Sequence, residues 1–167
     1  MDLYVLRHGR AGERGPAYPD DSKRPLTDDG RRRIEKVAKG MVGLGVRYDR
    51  LLTSPFTRAL ETAEIVAKVH GTSERLEEVE ELAQGLGPEA LLRRLRGEHA
   101  EREALLLVGH EPDLGELVSR LSTGANDGLS IALKKGGLVK LTVESLAPSA
   151  RATLDWVLTP RQLTMMR

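Results

Sequence analysis

The chain has 167 residues, 31% charged and 40% hydrophobic, with a formal net charge of +1 and no cysteine. That length suits one domain spanning residues 1–167, since single cores commonly run to ~100–200 residues, and the apolar share is enough for a buried core. The missing cysteines exclude disulfide frameworks, thiolate metal sites and cysteine nucleophiles. The 26 basic against 25 acidic residues, with 3% aromatics, give neither the field nor the stacking surface of a nucleic-acid binder.

Met1-Asp2 leads directly into the apolar run Leu3–Leu6, with no basic leader or long apolar segment behind it. Apolar stretches such as Ala104–Val108 fall far short of the ~20 residues that a membrane span needs. A cytoplasmic chain without membrane contact is expected. Leu3–Leu6 is apolar at every position, which predicts a central strand covered on both faces. The polar stretch Arg10–Lys23 predicts a loop, and Thr27 an N-cap with Asp28 and Asp29 at the positive end of a helix. Ile34, Val37, Ala38, Met41 and Val42 keep helical spacing, and Gly43 and Gly45 mark the exit.

Asp49–Thr53 is a second strand. Ser54-Pro55 predicts an N-cap followed by proline at the first helical position. Ala59, Leu60, Ala63 and Ala67 recur at helical intervals after it. Arg75–Glu78 predicts a short strand, Pro88 opens a helix carrying Leu91, Leu92 and Leu95, and Ala104–Val108 is a third buried strand. Pro112 begins a helix with Leu114, Leu117, Val118 and Leu121 on one face. Strands are then expected over Ser130–Lys134, Leu138–Val143 and Ala152–Leu158, with Gly136-Gly137 joining the first two. This order predicts an α/β three-layer sandwich: a mostly parallel mixed sheet, helices on both faces, and antiparallel C-terminal strands.

In such sheets ligands bind beyond the carboxyl ends of the strands. Arg7 and His8 stand at the end of the first strand and His110 at the end of the Ala104–Val108 strand. Arg58 falls in the first turn after the second strand. Guanidinium forks match phosphate oxygens and stay charged at any working pH, so the group that fits there is a dianionic phosphate. His70 and His99, the other two histidines, are expected to be structural or solvated.

Leu6-Arg7-His8-Gly9 resembles the Arg-His-Gly signature of the histidine phosphatase (phosphoglycerate mutase-like) superfamily. Arg24-Pro25-Leu26-Thr27 with Gly30, then Thr53-Ser54-Pro55-Phe56-Thr57-Arg58-Ala59, then Val108-Gly109-His110 resemble its later motifs in order. The Arg-Pro-Leu-Thr and Ser-Pro-Phe-Xaa-Arg-Ala blocks and the short chain resemble the SixA-type phosphohistidine phosphatases most closely.

The resemblance implies that His8 is the nucleophile and forms a transient phosphohistidine, which water then hydrolyses. Arg7 and Arg58 would bind the non-bridging oxygens, His110 would complete the pocket, and no metal or organic cofactor is required. Gly9 would leave room for the phosphate and for a sharp turn. Arg24 either reaches the phosphate or pairs with Asp20 or Asp21. Glu81 is the candidate proton donor within the acidic cluster Glu77, Glu78, Glu80 and Glu81, although Glu80 stands where the family pattern has proline.

Thr62–Ala104 holds little material for a lid, so an open site and a phosphohistidine-containing protein substrate are expected, with inorganic phosphate as product and the chain acting as a monomer. The alternatives are a phosphatase of small esters, such as nucleotides or sugar phosphates, and a non-catalytic phosphate-binding module. The presence of both His8 and His110 speaks against the second, because arginines alone would serve recognition.

Overall fold

The expected alternation of strands and helices closes into one six-stranded sheet in the order β3-β2-β4-β1-β5-β6. The structure is a computed structural model and describes residues 1–166. The strands are β1 (Asp2–Arg7), β2 (Arg50–Thr53), β3 (Leu76–Glu78), β4 (Ala104–Gly109), β5 (Leu138–Thr142) and β6 (Thr153–Leu158). The helices are α1 (Asp28–Gly43), α2 (Thr57–His70), α3 (Pro88–Glu98), α4 (Asp113–Thr123) and the single turn α5 (Pro160–Leu163). β1, β2, β3 and β4 run parallel; β5 is antiparallel to β1, and β6 to β5.

Apolar residues on both sides of β1 and β4 make the sheet the middle layer. Leu3, Val5, Leu105 and Leu107 face one core with Leu91, Leu95, Leu117 and Val118 of α3 and α4. Tyr4, Leu6, Leu106 and Val108 face the other with Ile34, Val37, Ala63 and Val66 of α1 and α2. Successive strand side chains point to opposite faces, so strict two-sided burial follows from the unbroken apolar runs. The expected three-layer sandwich is the fold.

Several local expectations stand. Thr27 caps α1, its hydroxyl accepting the Gly30 N–H at 2.9 Å, and α1 ends at Gly43. Pro88 opens α3.

Three expectations are corrected. Residues 130–134 form no strand; the carbonyl of Leu133 instead accepts a hydrogen bond from Arg7 Nη1 at 2.9 Å, spending it on a side chain. Gly136-Gly137 therefore joins no hairpin. Gly136, at φ 78°, turns the chain so that its N–H meets the Arg7 and His8 carbonyls at 2.9 and 3.1 Å, and β5 starts beside β1. Ser54 does not cap α2, which begins at Thr57 with Phe56 in the cap position and no side-chain cap.

Candidate active site

The sheet register sets the two site histidines side by side. Arg7 pairs with Gly109 across β1 and β4, and the His8 N–H continues the ladder to the Gly109 carbonyl at 3.1 Å. The next residue on each strand is a histidine, and their ring centroids lie 5.1 Å apart. Both are buried, 5% and 1% exposed.

Nδ1 of His8 lies 2.7 Å from the Gly9 carbonyl oxygen. A carbonyl only accepts, so Nδ1 carries the proton and Nε2 keeps its lone pair. The Arg58 Nε–H donates to that lone pair at 3.3 Å, a long bond that an incoming ligand can displace. Burial pushes His8 down to about 3; the Gly9 hydrogen bond opposes this, and His110, Arg58 and Arg7 add to it. His110 is also pushed to about 3, by burial first and then by Arg58. Both rings are therefore neutral at physiological pH.

Arg58 projects from the first turn of α2 and is 1% exposed. Its Nη1 donates to the Asp21 carbonyl and its Nη2 to Gln84 Oε1, both at 2.8 Å, with the Asp21 carboxylate 3.1 Å from Nη2. The same carboxylate lies 3.0 Å from Arg24 and 3.2 Å from Arg14. Burial works to raise the Asp21 carboxyl, but the hydrogen bond from Arg24 and the charges of Arg58, Arg24 and Arg14 outweigh it and hold it below the usual range.

Of the two expectations for Arg24, the contact with Asp21 is the one present. Arg24 pairs with Asp21, its Nη1 donates to the Gly12 carbonyl at 2.7 Å, and it lines the cavity. Arg7 lines the cavity with a buried Nε that has no partner among the described residues.

The cavity holds about 480 Å³ and gathers Arg7, Arg10, Arg14, Arg24, Arg58 and Lys135 around His8 and His110, with Glu13 and Glu111 as its carboxylates. Six cations against two anions, with an unprotonated imidazole nitrogen among them, can hold a tetrahedral dianion and present a nucleophile to it.

Two predicted residues sit elsewhere. Gly9 does not line this cavity: a Cβ there would stand 2.6 Å from Ile34 Cγ1 and 3.2 Å from Leu26 Cδ2. Its missing side chain admits α1, not phosphate, and its N–H is spent on Thr62 Oγ1 at 3.0 Å. Glu81 is likewise outside, 3.5 Å from Arg94, which also holds Glu77 at 2.9 Å and Glu98 at 3.1 Å. Glu77, Glu98 and His99 are the one three-residue group among the described residues with metal-ligand spacing, and Arg94 already supplies their cation.

The sequence reading missed four contributors. Ser54 Oγ shares a 2.8 Å hydrogen bond with His110 Nε2. Asp21 and Gln84 hold the Arg58 guanidinium. Glu111 lines the cavity with a buried Oε1 that has no partner among the described residues; burial raises its carboxyl, against the opposing charge of Arg7. Its adjacency to His110 was the available signal.

The family model of the Histidine phosphatase superfamily (branch 1) matches residues 3–86. An uncharacterized protein of Picosynechococcus sp. is 39% identical over 146 residues, 84% of each chain. The phosphohistidine phosphatase SixA of Escherichia coli is 29% identical over 171 residues, 100% of this chain and 99% of that one. A solved structure of protein histidine phosphatase SixA complexed with tungstate superposes with a TM-score of 0.85 at 27% identity, over 98% of this chain and 99% of that one. A phosphoserine phosphatase from Entamoeba histolytica, 14% identical with a TM-score of 0.67 over 97% and 98% of the two chains, shares the fold alone. With the motif order, the paired histidines and the family match in agreement, the chain belongs to the histidine phosphatase superfamily, branch 1.

Proposed function

We propose that this phosphatase removes phosphate from phosphohistidine on a polypeptide, through a phosphohistidine formed on its own His8. The observation that carries the chemistry is the His8 ring, with Nδ1–H fixed by the Gly9 carbonyl and Nε2 unprotonated inside a ring of guanidinium groups. Nε2 attacks phosphorus in line, forming a P–N bond as the P–N bond of the substrate breaks and its imidazole, protonated by solvent on its other ring nitrogen, leaves neutral. The attacking ring gains positive charge, which the Gly9 carbonyl stabilises. Water then attacks phosphorus, the enzyme P–N bond breaks, and inorganic phosphate departs.

Arg7, Arg24 and Arg58 hold the non-bridging oxygens, where charge must be neutralised in phosphoryl transfer. In the tautomer this chemistry uses, His110 Nε2 accepts from Ser54 and its Nδ1–H, which has no protein partner among the described residues, donates to an oxygen. Glu111, not Glu81, is the carboxyl placed to protonate an oxygen leaving group.

A polypeptide substrate is supported by what fills the chain between α2 and β4. That segment is spent on β3 and on α3, whose Leu91, Leu92 and Leu95 are buried in the core beneath the sheet. Of that segment only Gln84 lines the pocket, whose rim residues Arg10, Glu13 and Arg14 are exposed. The 29% likeness to the E. coli phosphohistidine phosphatase, and the oxyanion tungstate in the solved relative, support the same reading.

The test uses radiolabelled phosphohistidine protein, with the enzyme quenched in alkaline detergent, where N-linked phosphate survives. Label that is stable to alkali, lost in acid and absent from His8→Ala supports the intermediate. Turnover of the phosphohistidine protein should exceed that of glycerate and sugar phosphates at matched concentration. Equal or faster turnover of the small esters overturns the substrate assignment.

A further inference from the structure

Beside the pocket of His8 lies a second cavity of about 470 Å³. Gly9, Ile34 and Pro160 give it an apolar floor, and Arg10, Arg33, Lys134, Lys135 and Arg161 ring it, with Asp29 as the one carboxylate among its described lining residues. Arg10 and Lys135 line both cavities, which makes the two neighbours.

These five cations make no ion pair and no side-chain hydrogen bond among the described residues, and Asp29 is turned to Arg32 at 3.8 Å. Other cations of α1, the helix of Arg33, behave differently: Lys39 pairs with Glu35 at 2.6 Å, and Arg31 with Glu61 at 2.5 Å. Free like charges around a concavity focus a positive potential there. Lys135, shared by both cavities, has its ammonium pushed below the ordinary lysine range by burial first, then by Arg7 and Arg24 of the His8 pocket, Arg10, and Arg58.

The space is far larger than one phosphate needs, and its floor offers apolar contact to methylene groups and main chain. An inorganic anion would use the rim and waste the floor. A carboxylate on a polypeptide uses both.

We propose that this second cavity receives an acidic side chain of the substrate polypeptide, standing within a few residues of its phosphohistidine. The proposal rests on the phosphohistidine reading above and names the partner surface that reading requires: an acidic one, with phosphohistidine in its midst.

The experiment compares two chemically phosphorylated peptides, identical except that aspartates or lysines flank the phosphohistidine. At low ionic strength the native enzyme should favour the aspartate peptide in kcat/KM by about tenfold, the scale of a few exposed charge pairs acting together. The preference should shrink as added salt shortens the screening length. In R33E/R161E the preference should reverse, and in the milder R33Q/R161Q, used if the charge swap fails to fold, it should fall toward one. Equal kcat/KM for both peptides with the native enzyme, or a preference that survives in both variants, overturns the inference alone. Turnover of neither peptide, beside turnover of a small ester, overturns the phosphohistidine reading and this inference with it.

Discussion

Thr62 and Gly9 are joined through a hydroxyl that works in both directions. Thr62 Oγ1 accepts the Gly9 N–H at 3.0 Å and donates to the Arg58 carbonyl at 2.7 Å, tying the turn that carries His8 to the helix that carries Arg58. Thr62→Val keeps the shape and strands a buried N–H, at a cost of about 1–3 kcal/mol. Urea unfolding should show that loss together with a fall in kcat. Thr62→Ser should restore both; a valine variant with native stability and turnover would mean the link is idle.

Arg58→Lys tests geometry apart from charge. One ammonium cannot reach His8, the Asp21 carbonyl and Gln84 together as the planar fork does. We expect kcat to drop by about 10²–10³-fold, the scale of removing one preorganised donor from a charged transition state. Steady-state kinetics that show only a raised KM would instead assign Arg58 to substrate capture.

Glu111 and Glu81 separate by leaving group. Glu111→Gln should slow an alkyl phosphate ester about 10²-fold, as expected for a lost general acid, and slow a phosphoimidazole much less. Glu81→Gln, outside the cavity, should stay within about threefold on both, the range of an ordinary surface change. The opposite ranking on the ester would return the role to Glu81.

Acid should weaken the fold through its histidines. His8 and His110 titrate near 3 in the folded chain and near ~6.5 unfolded. Below ~6.5 the unfolded chain binds more protons, so stability is lost as pH falls from there toward 3, by up to ~1.4 kcal/mol per pH unit for each ring. His70 and His99, also lowered by burial, add the same sign. Urea midpoints at pH 7.5, 6 and 5 should decline in step, and His8→Asn should flatten the decline. Parallel curves for the two proteins would show that His8 is not held neutral.

Legibility in the sequence followed physical range. Leu3–Leu6 and Ala104–Val108 announced buried strands because burial on both faces demands apolar residues at every position, and the strand-end residues Arg7, His8 and His110 then followed from chain order alone. Arg58 needed only one helical turn. Ser54 misled because Ser-Pro satisfies the local grammar of a helix start, whereas its hydroxyl is taken by His110, 56 residues away. Gln84 was silent, and Asp21 was read only as a partner of Arg24, for the same reason: their shared partner Arg58 is fixed by tertiary packing, which leaves no local period. Gly9 was read for its freedom, but the constraint came from Ile34 of α1 pressing on it.

The pairing of β1 with β4 has a consequence for how this site can change. Adjacent strands repeat at ~4.8 Å, and the two imidazoles, one residue past the register pair Arg7 and Gly109, stand 5.1 Å apart. Their separation is thus gauged by backbone hydrogen bonding, like two teeth cut on neighbouring racks. Residues of the following loops that lie apart from Asp21, Arg24 and Glu111 can be replaced or recharged without altering the spacing of the two rings.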